Sequence, residues 1–135
     1  MRRPRELAFE WRDALAARDV ERFGALFSPD AVMVDVEHRT PDGREARPLR
    51  GRAEIERVTR EWCRTTGDFT YAVEAVIEEG DLGAVRWSYE WETGARRQQV
   101  EGLTWLDCRD RYIVAATVCF DSILLLEAGS PEASR

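Results

Sequence analysis

Two periodicities divide the chain. As far as Gly67, apolar residues recur at helical spacing; beyond it they alternate every second residue. Pro4 suits the first position of a helix, and Leu7, Trp11, Ala14 and Leu15 then share one face. Asp19 can cap a second, short helix through Arg22, Phe23 and Leu26, which Ser28-Pro29 ends. Ala31–His38 reads as a strand in which Val32, Val34 and Val36 alternate with Met33, Asp35 and Glu37. A charged loop, Arg39–Arg50, turns at Pro41-Asp42-Gly43. A third helix from about Arg52 to Cys63 would bury Ile55, Val58 and Trp62.

The second half reads as hairpins. Phe69–Glu78 and Leu82–Glu92 flank the turn Glu79-Gly80-Asp81, and Gly94-Ala95 leads into a strand from about Arg97 to Asp107. Arg109-Asp110-Arg111 then turns the chain into Tyr112–Leu125. Helices first and hairpin strands afterwards predict an α+β fold. The expectation is a curved antiparallel sheet, closed by three N-terminal helices into a cone around a pocket. One domain spans 1–135, with an ordered core of about 5–126 and low order at Met1–Pro4 and Gly129–Arg135.

Composition narrows the function classes. A chain of 135 residues buries roughly 68–70% of its unfolded surface, enough for a core without disulfides or metal. The longest aliphatic run, Ile123–Leu126, is too short for a membrane span, and no apolar stretch follows the basic start, so a cytoplasmic protein is expected. Twenty-six acids oppose 20 bases, a net charge of −6, which argues against a nucleic-acid partner. Every base is Arg; with no Lys, Schiff-base chemistry is excluded. Cys63, Cys108 and Cys119 lack C-x-x-C spacing and read as packing residues, and a single His leaves no metal site.

Three segments carry a family resemblance. Ala17-Arg18-Asp19-Val20, followed by Leu26-Phe27-Ser28-Pro29-Asp30-Ala31-Val32, forms a helix–helix–strand opening. Leu49-Arg50-Gly51-Arg52-Ala53-Glu54-Ile55 enters the third helix, and Phe120-Asp121-Ser122-Ile123-Leu124-Leu125 ends the last strand. In order and spacing the chain resembles the SnoaL-like polyketide cyclases and ketosteroid isomerases of the nuclear transport factor 2-like superfamily, over about residues 5–126. The resemblance implies a cone-shaped fold, a cofactor-independent activity and a small, apolar, carbonyl-containing substrate from secondary metabolism such as antibiotic biosynthesis. The fold hosts many unrelated functions, so the site must decide.

Two carboxylates are the catalytic candidates. Asp35 lies on a strand otherwise built of Val and Met, so it faces either solvent or a cavity. By resemblance it falls where ketosteroid isomerases carry the carboxylate that moves a proton beside a carbonyl. An apolar cavity would disfavour its ionised form and raise its pKa. Asp121 matches the aspartate near the end of the last strand in the cyclases; the alternative is a turn cap or an Arg pair. Alternation would put Ile113, Ala115, Thr117, Cys119 and Asp121 on one small, mildly polar face with room for a ligand.

The candidate lining is Trp11, Met33, His38, Trp62, Tyr71, Arg86, Trp105, Thr117 and Cys119. Trp11 stands where the isomerases place a helix tyrosine; its indole N–H can donate a hydrogen bond but cannot titrate as an acid. His38 falls opposite Asp35, and Arg86 could orient an anionic substrate or pair across strands with Glu90 or Glu101. The cyclases' His-Trp pair is replaced by Ala116 and Thr117, and the Arg-x-Asp element of the limonene epoxide hydrolases is absent. These departures keep a non-catalytic binding or dimerisation module open beside a cyclase or isomerase. A homodimer is expected, because Val85, Trp87, Tyr89 and Trp91 would otherwise leave an apolar stripe in water.

Overall fold

Pro4 opens the first helix, α1 (Pro4–Ala16), and Leu7, Ala8, Trp11 and Ala14 are its buried face. The computed structural model describes residues 2–35 and 48–120, with backbone alone at Asp35 and Thr93. Asp19 caps α2 (Val20–Gly24) as expected, its carboxylate accepting from the Arg22 N–H at 3.0 Å. Strand β1 (Phe27–Asp35) starts earlier than the apolar alternation suggested. The reason is Pro29: the residue before a proline prefers extended backbone, so the signal that ends the helix also begins the strand. A short β2 (Leu49–Arg50) precedes α3 (Arg52–Thr65). The buried residues of α3 are Ile55 and Thr59, with Val58 only half-buried; the Thr59 hydroxyl donates to the Ile55 carbonyl at 2.8 Å, which satisfies it inside the core.

Three hairpins follow: β3 (Phe69–Glu79), β4 (Leu82–Thr93), β5 (Arg96–Arg109) and β6 (Tyr112–Phe120). Each is joined by a two-residue turn, Gly80-Asp81, Gly94-Ala95 and Asp110-Arg111, and Gly80, Gly94 and Asp110 have positive φ. The strands form one curved sheet in the order β2-β1-β6-β5-β4-β3. The sheet is mixed rather than wholly antiparallel, because β1 pairs with β6 in parallel. Alternation within a strand carries no information on the direction of a partner eighty residues away in sequence.

Single extra residues bend the sheet. Val73 pairs with Trp87 and Ala75 with Arg86, so Glu74 is a bulge in β3, and its carboxylate accepts from the Ser88 hydroxyl at 2.6 Å. Ile113 pairs with Cys108 and Ala115 with Asp107, so Val114 is a bulge in β6. Bulges raise local twist and curvature. The helices sit in the resulting hollow, and the core is built from α1, α2, α3 and the concave face of the sheet: Leu7, Phe23, Leu26, Phe27, Ile55, Leu106 and Ile113 are almost wholly buried. Trp11 stands edge-on to Phe23 at 4.9 Å and tilted to Phe27 at 5.6 Å.

The expected apolar stripe of β4 exists but faces this hollow, not a partner subunit. Val85 and Trp87 are buried, and Tyr89 and Trp91 are half-buried. The Trp87 indole lies across Gly102, its register partner on β5, and its N–H donates to the Thr104 hydroxyl at 2.9 Å. A Cβ at Gly102 would run into that indole and come within 2.5 Å of the Cys119 carbonyl oxygen. Gly102→Ala should therefore lower stability by about 1–3 kcal/mol through overpacking. Urea denaturation checks this, and an unchanged midpoint would contradict the packing described.

Candidate functional site

The helices do not fill the hollow. A cavity of about 610 Å³ remains between them and the sheet, a size that suits a small organic ligand. Helix α1 contributes Trp11 and Leu15, and the end of α3 contributes Trp62, Thr65 and Thr66 before the Gly67-Asp68 connection. The sheet contributes Tyr71 from β3; Trp87, Tyr89, Trp91 and Glu92 from β4; Val100 and Thr104 from β5; and Val118 and Phe120 from β6. Seven of these sixteen residues are aromatic.

The rings brace one another. Tyr71 stacks on Trp87 at 5.6 Å and Tyr89 on Phe69 at 5.4 Å, while Trp62 meets Phe69 edge-on at 4.9 Å. Arg18 bolts the α3–β3 connection in place: its guanidinium donates to the carbonyls of Cys63, Thr66 and Gly67 and lies 5.1 Å from the Phe69 ring centre. The cavity mouth is thereby tied to the turn between α1 and α2.

Polar groups are few. Burial pushes the Tyr71 phenol well above its ordinary pKa and raises that of Tyr89, against a lowering pull from Arg18 on Tyr89. Both remain hydrogen-bond donors at neutral pH. Among the described residues nothing accepts from the Tyr71 hydroxyl. The Thr104 hydroxyl, having accepted from Trp87, can still donate. The Cys108 thiol is pushed up to about 11, first by burial and then by Asp81 and Asp107, which fits a packing role. Among the described residues no group of three or more His, Cys, Asp or Glu could hold a metal, and no helix is long and apolar enough to cross a membrane.

Of the expected site residues, the structure brings Trp11, Trp62 and Tyr71 together on the cavity wall. Met33 packs half-buried against the core and is not part of the lining. Arg86, Trp105, Thr117 and Cys119 are likewise not part of the cavity wall. Arg86 is exposed and within 4.0 Å of Glu101, and Trp105 is 46% exposed. Arg86 and Cys119 line a shallow depression beside Leu103 instead. The Val114 bulge explains the error on β6: beyond it the alternation is offset, so Val118 and Phe120 line the cavity while Thr117 pairs with Trp105. His38 and Asp121 lie outside the described residues. Asp35 is described at its backbone, which closes β1 in register with Val118; that row continues through Thr104 and Val85. Sequence reasoning missed Asp68 and Glu92 at the mouth, since an acid at the end of an element reads as solvated surface.

The SnoaL-like domain family matches residues 8–116. The chain belongs to that family. With it the chain joins the nuclear transport factor 2-like superfamily, and its curved sheet and helical cap agree with that membership. No curated protein matches this SnoaL-like chain. Among solved structures it is similar to a hypothetical protein of ketosteroid isomerase-like fold from Catenulispora acidiphila, in complex with trimethylamine, with TM-score 0.77, 19% identity and coverage of 98% of each chain. A protein assigned as a SnoaL-like polyketide cyclase from Jannaschia has TM-score 0.74 and 13% identity over 95% of each chain. TerC co-crystallised with polyporic acid has TM-score 0.73 and 19% identity, covering 90% of this chain and 94% of that one. Identities this low establish the shared fold.

The tyrosines supply a pH test. Where a folded-state pKa exceeds the unfolded value, stability is complete below the unfolded pKa and falls as pH rises toward the folded one. Stability should therefore decline above roughly pH 10, the unperturbed phenol value. Tyr71→Phe should flatten that decline, as measured by urea denaturation across the alkaline range. Ultraviolet titration should show Tyr71 ionising only together with unfolding.

Proposed function

We propose that this SnoaL-like chain is a cofactor-independent enzyme that moves a proton next to a carbonyl of an apolar, polyketide-like metabolite, leading to ring closure or isomerisation. The observation that carries this reading is the register of β1: its last residue, Asp35, falls in the row of Val118 and Thr104, both of which line an aromatic cavity. In the proposed reaction the Asp35 carboxylate takes a proton from the carbon beside the carbonyl. The electron pair moves onto the carbonyl oxygen, and the resulting enolate accepts hydrogen bonds from the Tyr71 and Thr104 hydroxyls. Return of the proton at another carbon gives isomerisation, and attack of the enolate carbon on an electrophilic carbon of the same ligand closes a ring. Asp121 is the second acid/base in this reading. Its setting would be the cytoplasm and the tailoring of secondary metabolites such as antibiotics.

Solvent deuterium exchange tests the chemistry without the natural substrate. Cyclic and polycyclic ketones incubated with the protein in heavy water should gain deuterium beside the carbonyl. Asp35→Asn should slow the exchange by about 10²–10⁴-fold, the usual share of general acid–base catalysis, while leaving ketone binding and thermal unfolding in place. Asp121→Asn is made in parallel. Full exchange in both variants would remove the carboxylates from the mechanism, and ketone binding without any exchange would leave a binding module.

The partner expected from the sequence is retained as a proposal on a different surface. Leu103 and Trp105 on β5 and Ile77 on β3 are 54%, 46% and 74% exposed and fall in the rows that alternate with the cavity wall. We place a second copy of the chain on this outer face, with Arg86 and Glu101 at its centre. Sedimentation should show a dimer at micromolar concentration that Trp105→Arg converts to a monomer. A monomeric wild-type chain would overturn this assignment.

A further inference from the structure

The charge of the cavity wall is one-sided. Among the described residues lining it, Asp68 and Glu92 are acidic and none is basic. Both acids are exposed, and neither has an ion pair among the described residues. Next to them the wall is a run of rings: Trp62 and Tyr89 lie 6.1 Å apart at 53°, and Tyr89 and Trp91 lie 5.2 Å apart at 37°. The nearby Arg18 lies over Phe69 and donates to three carbonyls; it keeps its positive charge, which reaches Tyr89, but it is not part of the lining.

From this juxtaposition of tilted aromatic faces and carboxylates without an ion pair among the described residues we infer that the cavity mouth recognises a substituted ammonium group, so that the substrate is an apolar carbonyl compound bearing a basic or quaternary amine. The inference rests on the small-molecule reading of this cavity and names the class of molecule that enters it. The physical case has three parts. Aromatic faces carry a negative quadrupole and attract a cation placed over them. An alkylated ammonium holds its water weakly enough to exchange it for ring faces, which a carboxylate or phosphate does not. The two acids add a longer-range pull that favours cations and opposes anions at the point of entry. A ligand carrying a carboxylate would meet like charge there and find no cationic lining residue among the described residues.

A matched pair of probes tests it: para-hydroxyphenyltrimethylammonium and its uncharged isostere para-tert-butylphenol, titrated at low ionic strength with tryptophan fluorescence and confirmed by NMR. The ammonium probe should bind roughly tenfold more tightly than the isostere, in the range expected of a cation over aromatic rings. The exposed double substitution Asp68→Asn with Glu92→Gln should leave the fold intact and shrink the preference to about twofold, and added salt should weaken the cation alone. Trp91→Leu should also reduce the preference. Equal or tighter binding of the isostere, no binding of either probe, or an unchanged preference in both variants would overturn the inference. Deuterium exchange of neutral ketones is run on the same samples. Exchange that persists without ammonium preference sinks this inference alone, whereas loss of exchange in the wild-type chain sinks the proposed chemistry.

Discussion

The concave side of the sheet is organised by one large side chain lying where another is missing. Trp87 spreads its indole over Gly102, and only a residue without a Cβ allows so flat an approach to the strand. The indole N–H, which would be costly to bury unpaired, is satisfied by Thr104 one row along. Tyr71 then stacks on the indole from β3. On one side of this plate Leu7 and Phe23 of the helices pack with Phe27, Leu106 and Ile113 of the sheet and fill the hollow; on the other the wall stays open as the cavity. Trp87 is thus both the edge of the core and the floor of the site, and its position fixes the ligand space.

Curvature decides which residues reach that space, and curvature was the least legible property of the chain. The hairpins were readable because two-residue turns demand positive φ, which Gly80 and Gly94 supply. The aromatic face of β4 was readable as a set, but its side of the sheet was not: an apolar stripe suits a dimer interface as well as a cavity wall. On β6 the single unpaired Val114 exchanges the two faces beyond it, and a valine at a bulge looks like any other strand valine. Thr117 and Cys119 were therefore expected where Val118 and Phe120 stand.

The aromatic part of the site was legible because the same hydrophobicity that marks Trp11, Trp62 and Tyr71 as inward-facing also builds the wall. Its charged rim was not. Asp68 precedes a strand and Glu92 nearly ends one, where acids normally mean solvent, and the β3–β4 register, Phe69 opposite Trp91, brings them to one opening. Arg86 was expected either to orient an anionic substrate or to pair across strands with Glu90 or Glu101. The partner it actually finds is Glu101 on the neighbouring strand, an exposed pair of small energetic weight.

The departures from the family pattern acquire a physical sense from this arrangement. Where the isomerases resembled by this chain place a tyrosine on the first helix, Trp11 is held between Phe23 and Phe27, a position set by packing. The phenols in the cavity are instead those of Tyr71 and Tyr89, both on strands, with Tyr71 stacked on the Trp87 plate. The groups to which the proposed reaction assigns proton handling, at positions 35, 71 and 104, all belong to the sheet, while α1 and α3 give aromatic and aliphatic cover with small hydroxyl groups at the rim. Strands tied by continuous ladders hold donors to within tenths of an ångström, whereas a helical cap can adjust to the outline of the ligand. In the proposed reading the proton-handling groups sit on the sheet, whereas the rings that shape the cavity come from both layers, Trp11 and Trp62 from the helices and Tyr89, Trp91 and Phe120 from the strands.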